Sequence, residues 1–140
     1  SWMGNSKSAL YTCNATPIID DDVIYGSDID SGDLIAASLK DGKRFWSTNK
    51  PTSDTPRPVR HATAFVVQHE DRYFLFSETG DLILANLSPQ GYEELDRFHV
   101  LEPTNEAFGR KVVWTHPAFA NKSVYIRNDK EIVCVDLSAK

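Results

Sequence analysis

The chain has 140 residues, a net charge of −5 and 41% hydrophobic residues, enough for one hydrophobic core. Its fifteen basic residues are scattered, which argues against a nucleic-acid-binding surface. No apolar stretch approaches the roughly 18 residues of a membrane-spanning helix. The N-terminus has neither the charged nor the apolar region of a signal peptide. We therefore expect no nucleic-acid partner, no membrane span and no targeting signal.

One eight-residue segment occurs twice, 48 positions apart. Residues 32–39 (GDLIAASL) and 80–87 (GDLILANL) are identical at six of eight positions, and 131–137 (EIVCVDL) is a looser third copy. A period just under 50 residues, built from short apolar runs between turns, is typical of β-propeller blades. The repeat predicts an all-β fold of about three four-stranded blades.

The first predicted blade spans residues 15–48 and follows a leading segment, residues 1–14. Within the leading segment, residues 9–13 (ALYTC) read as a strand, which we expect to complete a blade of another chain. The blade itself has runs rich in β-branched and aromatic residues between Asp, Gly and Ser turns. The strands predicted for it are residues 15–19, 23–26, 34–39 and 44–48.

The second predicted blade spans residues 61–100. Its last run is ambiguous because Tyr92, Leu95 and Phe98 recur at helical spacing. We predict a strand there, since Gly91 and Leu95 occupy the positions that Gly42 and Trp46 occupy in the first copy. The strands predicted for this blade are residues 61–68, 72–77, 81–87 and 92–100.

The third predicted blade spans residues 112–140 and lacks an outer strand. Its predicted strands are residues 112–119, 123–127 and 131–137. Propellers usually have about four to eight blades, so three cannot close a ring. An incomplete ring would also expose apolar sheet faces. We expect either a homodimer that forms a six-bladed ring or completion by further sequence of a longer protein.

The stretch AASLKDGKRFW, residues 36–46, resembles the tryptophan-docking motif of pyrroloquinoline-quinone-like propellers. Gly42 stands at the motif's turn, and Trp46 stands where the motif has a tryptophan that packs on the next blade. Residues 60–137 are similar to the C-terminal blades of bacterial envelope members of that family. The resemblance implies a periplasmic or cell-envelope location. It also implies structural roles for a set of residues: Gly42, Trp46, Gly80, Asp81 and Gly91.

The same superfamily includes quinone-dependent dehydrogenases, for which the resemblance implies a Ca²⁺ ion, a catalytic Asp and an adjacent pair of cysteines. This chain has only Cys13 and Cys134, far apart in sequence. They are either two free, half-buried thiols or a disulfide within or between chains. We predict no catalytic residue, no metal site and no cofactor. The alternative is a fragment of a PQQ-dependent quinoprotein oxidoreductase.

Two connections between the predicted blades, residues 49–60 and 102–111, are much longer than the others. Long ordered loops on a rigid scaffold are where binding residues concentrate. In a propeller these connectors lie on the face that also carries the turns between second and third strands. We expect that face to bind a protein or peptide, without catalysis. Its candidate residues are Arg57, Arg60, His61, Glu102, Asn105, Glu106, Arg110 and Lys111.

Overall fold

A computed structural model describes residues 2–5 and 7–138. The described residues contain thirteen β-strands in four antiparallel sheets and no helix, so the all-β prediction is confirmed. The first sheet contains β1 (Ile18–Asp20), β2 (Val23–Ser27), β3 (Leu34–Ser38) and β4 (Arg44–Thr48). The second contains β5 (Ala64–His69), β6 (Arg72–Ser77), β7 (Asp81–Ser88) and β8 (Gly91–His99). A hairpin contains β9 (Asn105–Ala107) and β10 (Arg110–Val112), and the third sheet contains β11 (Ala118–Ala120), β12 (Ser123–Arg127) and β13 (Ile132–Asp136).

Strand order follows chain order in the three larger sheets, so each is a meander of adjacent antiparallel strands. The second and third sheets are joined through the β9–β10 hairpin, which pairs Ala107 with Arg110. The bounds predicted for β4, β6 and β12 agree with the structure. The ambiguous run after Gly91 is a strand, β8, as predicted, because it pairs along its length with β7.

Two expectations about individual elements were wrong. Residues 112–117 are not part of an inner strand: the Val113 amide donates to the Glu78 carbonyl, and Pro117 has no amide hydrogen to donate. The connector at residues 102–111 holds the β9–β10 hairpin rather than a plain loop. Residues 9–13 form no strand in this chain, although their pairing with a second chain stays a prediction.

The three larger sheets stack face to face in chain order and enclose two apolar cores. The first core lies between the first and second sheets and includes Tyr25, Leu34, Leu75 and Ile83. The second lies between the second and third sheets, with Phe65, Phe76, Val124 and Ile126 among its members. The second sheet is therefore covered on both faces, which explains why its apolar runs do not alternate with polar residues.

Successive sheets use the same register positions for stacking. Gly32 aligns with Gly80, so Leu34 and Ala36 correspond to Leu82 and Leu84. Leu34 and Ala36 face the second sheet, and Leu82 belongs to the core shared with the third. Both sheets also carry a β-bulge at the corresponding place, between Ala36 and Ala37 and between residues 84 and 85. The sequence repeat is thus a repeat of packing geometry.

The other face of the first sheet is partly covered by the chain's own leading segment, and Ile19 and Phe45 stay exposed there. The Ala9 amide donates to the Gly42 carbonyl, and the Trp2 indole Nε1 donates to the Leu39 carbonyl at 2.8 Å. Leu10 packs so close to Gly26 that a Cβ added there would lie 2.9 Å from Cδ2 of Leu10. Ile35 on this face is completely buried as a result.

The outer face of the third sheet is open. Tyr125 is 42% exposed and Ile132 is 72% exposed, and Cys134 lies beside Tyr125 in the sheet register. Both cysteines are free and exposed rather than half-buried, which removes the disulfide within the chain. The described residues include no helix long and apolar enough to cross a membrane.

Candidate functional site

The two long connectors lie over the turns between the second and third strands of the sheets. The His61 amide donates to the Ile29 carbonyl at 3.0 Å, and the Asn128 Nδ2 donates to the Glu102 carbonyl at 2.9 Å. These bonds place connector and turn residues on one side of the molecule. We define the connector face as residues 49–63 and 100–117 together with the turns at 28–33, 78–80 and 128–131.

A buried carboxylate anchors the centre of the connector face. The side chain of Glu78 is 3% exposed and accepts two hydrogen bonds from Arg110, from Nε at 2.7 Å and from Nη2 at 3.2 Å. Trp114 Nε1 donates to the same carboxylate at 2.8 Å. A buried charge is tolerated when it is paired and hydrogen-bonded in this way. The Glu78 contact therefore fixes both ends of the segment from Arg110 to Trp114.

The hairpin beside this anchor has an unusual turn. Ala107 and Arg110 are paired, so Phe108 and Gly109 alone form the turn. Their φ angles are 51° and 74°. Positive φ at both central residues is the property of a type I′ turn, which favours Asn, Asp or Gly at its first position. A phenylalanine there is strained, and such strain concentrates at functional sites.

Phe108 also joins the two connectors. Its ring stacks on the His61 imidazole, with centroids 4.4 Å apart and planes inclined by 14°. The ring of Trp114 lies 6.1 Å away, and Cζ of Arg110 lies 6.0 Å from the Phe108 centroid, within cation–π range. Despite these contacts Phe108 is 69% exposed. We call His61, Phe108, Arg110 and Trp114 the hairpin platform.

The structure brings only some of the predicted site residues together. His61 and Arg110 belong to the hairpin platform, whereas Arg60 forms an ion pair with Asp30 at 2.9 Å in which both side chains are more than half exposed. An exposed pair of this kind contributes little to stability and leaves both groups accessible. Four predicted residues are exposed along the connectors: Arg57, Asn105, Glu106 and Lys111.

Glu102, the remaining predicted site residue, is tied to the end of β8. Its carboxylate lies 3.1 Å from Nε2 of His99, whose Nδ1 lies 2.7 Å from Asp81. The hydrogen bond to Asp81 raises the pKa of His99 above its ordinary value. Sequence reasoning missed Glu78, Phe108 and Trp114, because Glu78 lies more than 30 residues from its partners and nothing in the sequence marks the turn.

Four of the five residues predicted to be structural have contacts that explain the residue type. Trp46 Nε1 donates to the Ser88 carbonyl at 2.7 Å and so links the first sheet to the second. Gly80 has φ of 90°, and a Cβ there would lie 1.9 Å from the Leu101 carbonyl oxygen. Gly42 has φ of 72° and lies against the Trp2 ring. Gly91 has neither a positive φ nor a close neighbour.

The fourth of these residues, Asp81, lies in a charged cluster below the connector face. Its carboxylate accepts hydrogen bonds from Arg97 Nη1 and Thr79 Oγ1, both at 3.1 Å, besides its contact with His99. In the first sheet the buried Asp28 accepts from Arg44 at 3.1 Å and from Ser31. These hydrogen bonds hold the turn at residues 28–33. Within residues 2–5 and 7–138, no group of three His, Cys, Asp or Glu side chains is arranged so that it could hold a metal ion.

Comparison with protein-family models found no match to this chain, and comparison with curated proteins found none either.

Proposed function

We propose that the protein is a β-propeller module that binds a peptide or protein through the hairpin platform on its connector face. The stacking of three meander sheets through repeated register positions supports the propeller interpretation, as does the Trp46 contact between sheets. In this interpretation each larger sheet is a blade. The resemblance to bacterial envelope propellers supports a location in the cell envelope.

The observation that carries the proposal is the position of Phe108. A large apolar side chain occupies a turn position that Asn or Gly would fill without strain, and 69% of it is exposed. Folding gains little from such a residue, since it buries little apolar surface. Exposed aromatic side chains held on a rigid base are typical anchors of protein interfaces.

The surroundings of the ring favour a peptide or protein partner. The hairpin platform is apolar at its centre, and the connector face around it carries Arg60 and Lys111 as well as Asp30 and Glu106. An aromatic anchor within a polar rim of both charge signs matches the arrangement of protein interfaces. The Glu78 carboxylate keeps the hairpin in place because it binds both Arg110 and Trp114. The platform is therefore organised before a partner arrives, which lowers the entropic cost of binding.

Peptides selected from a phage-displayed random library against the protein provide the test. Phe108→Asn removes the aromatic ring but suits the type I′ turn, so the variant should fold at least as stably. We expect the selected peptides to bind Phe108→Tyr normally and Phe108→Asn at least about tenfold more weakly, which is a loss of at least about 1.4 kcal/mol. Affinities would be measured by isothermal titration calorimetry.

Phe45→Asn is the matched control, since Phe45 is 42% exposed on β4, outside the connector face. It should leave peptide binding unchanged. A library that yields no binder, or binders that tolerate Phe108→Asn, would contradict the proposed function.

A further inference from the structure

The third sheet presents an apolar face at positions that the other sheets bury. Register aligns Tyr125 and Ile132 with Tyr25 and Leu34 of the first sheet, which are 2% and 0% exposed. In the third sheet the same two positions are 42% and 72% exposed. In the first and second sheets, this face is covered by the sheet that follows in the chain. The third sheet is therefore shaped to receive one more layer.

The third sheet also has an open edge beside an apolar groove. In the first and second sheets the third strand is paired on its outer side with β4 or β8, whereas β13 pairs only with β12 in the described chain. Next to β13 lies a groove of 260 Å³. Its apolar lining comes from both sheets: Phe74, Leu82, Leu84, Phe98, Val135 and Leu137. An unpaired edge beside an apolar groove accepts an added strand.

The opposite end of the molecule carries a contact that normally belongs to such an outer strand. Trp46, on the outer strand of the first sheet, donates from its indole to the Ser88 carbonyl at the end of β7. Trp2 donates in the same way to the Leu39 carbonyl just beyond β3. Relative to the first sheet, Trp2 therefore lies where Trp46 lies relative to the second sheet. This is the position of a docking tryptophan on the outer strand of a preceding sheet. Residues 2–5 themselves have no strand neighbour in this chain.

The next side chain supports this interpretation. Successive residues of a strand point to opposite faces, so if residues 2–5 extend along a sheet edge, Met3 points away from Trp2. Met3 is 96% exposed in the single chain. If residues 2–5 of one copy lie along the edge of the third sheet of another copy, Trp2 faces the first sheet of its own chain. Met3 then enters the apolar groove beside β13 of the other copy. When residues 2–5 of one copy cover the groove of the other, the Met3 side chain, which is exposed in the single chain, becomes buried.

We propose that two copies of the chain assemble head to tail, with residues 2–5 of each copy added to the open edge of β13 in the other. The face that contains Tyr125 and Ile132 then packs against the first sheet and leading segment of the partner. Each copy carries both halves of this junction. The same junction therefore forms twice in the dimer and covers the third sheet and the first sheet of each copy, as a closed two-fold assembly requires.

The first measurement is mass in solution by light scattering. Two copies of 15.7 kDa give 31.4 kDa, and we expect the unmodified chain to show this dimer mass. Ile132→Asp and Met3→Asp should each reduce the mass to 15.7 kDa without unfolding, since both side chains are largely exposed in the single chain. Phe108→Asn is the control, because Phe108 is 69% exposed but lies on the connector face, and it should remain dimeric.

A second measurement follows the Cys134 thiol in a Cys13→Ser background. Cys134 is exposed in the single chain and lies on the face that the dimer would cover. We expect at least tenfold slower thiol alkylation in the dimer than in Ile132→Asp. A monomeric unmodified chain, oligomers larger than two copies, or dimers that persist in both aspartate variants would overturn the proposal. Peptide binding through Phe108 does not depend on this outcome.

Discussion

The aspartate of the repeated Gly-Asp pair has different surroundings in the first and second sheets. Asp81 has three partners, Arg97, His99 and Thr79. Asp33 has a buried Oδ1 with no hydrogen-bond partner. Burial raises the pKa of the Asp33 carboxyl above its ordinary value of 3.8; the hydrogen bond from Ser47 opposes this shift, and the nearby Asp28 charge adds a smaller contribution to it. Two identical residues in one sequence repeat thus have different surroundings: the Asp81 carboxylate is paired, whereas one buried oxygen of Asp33 has no partner.

Asp33→Asn should therefore stabilise the protein, and the gain should depend on pH. The folded state holds the Asp33 proton more tightly than the unfolded chain, so ionisation costs stability as pH rises from below 3.8 through the raised folded-state pKa. We expect no gain from Asp33→Asn below pH 3.8 and a stabilisation of up to about 1 kcal/mol at neutral pH. Urea denaturation at several pH values measures it.

The matched control for Asp33→Asn is Asp81→Asn, which should destabilise the protein at neutral pH because it weakens the bonds to Arg97 and His99. Equal effects of the two substitutions would contradict the different surroundings described for the two carboxylates.

At the scale of secondary-structure elements, two glycines allow the connectors to cross the turns of the sheets. Gly32 and Gly80 have φ of 71° and 90°, and a Cβ on either would lie within 2 Å of a connector carbonyl, that of Val59 or Leu101. Only glycine fits where the backbone is left-handed and another chain segment passes this closely. The repeated glycine is thus explained by the path of the connector rather than by the turn alone.

Gly80→Ala should cost at least about 2 kcal/mol of the free energy of unfolding, because the strained φ and the clash with Leu101 add together. Gly91→Ala is the matched control. With no close neighbour and no positive φ, it should be neutral or stabilise by about 0.5 kcal/mol through the unfolded state. Guanidinium denaturation of the two variants measures the difference, and a Gly80→Ala protein as stable as Gly91→Ala would contradict the proposed crossing.

The sequence predicted the strands better than the connectors, for a physical reason. Strands such as β6 and β12 are apolar runs bounded by turn residues, and both signals are local. The β9–β10 hairpin has three-residue strands and a Phe-Gly turn, which lacks the Asn-Gly or Asp-Gly that predicts a type I′ turn. Its position depends on contacts with Glu78 and His61, which lie about 30 and more than 40 residues earlier in the chain.

The residues of the candidate site were likewise predictable from the sequence only in part. Loop length and charge identified the connector face, including His61 and Arg110, but gave no means to separate the Arg110 side chain from its exposed neighbours. Its guanidinium is bound to Glu78 and is structural, whereas Arg60 remains accessible. Burial of a glutamate at the end of a strand cannot be recognised in a single sequence, since Glu is ordinarily exposed.

At the scale of the whole molecule, the three larger sheets form a row in which the first packs on the second and the second packs on the third. The first sheet meets the second through one core and through hydrogen bonds from Trp46 and Ser27. The third sheet meets the second through a separate core. In such an arrangement stability is approximately a sum of terms for each sheet and for each junction. A substitution at one junction should therefore affect the sheets unequally.

Trp46→Phe tests this arrangement because it keeps an aromatic ring while removing the indole N–H that donates to Ser88. The lost hydrogen bond should cost about 1 kcal/mol at the junction between the first and second sheets. Native-state hydrogen exchange would be measured for amides of β2, β3 and β12, in wild type and variant. We expect the opening free energy to fall for β2 and β3 while β12 changes by less than half as much, since β12 lies beyond the second core. An equal fall in all three strands would mean that the chain opens as one cooperative unit, and the row of separable junctions would then be wrong.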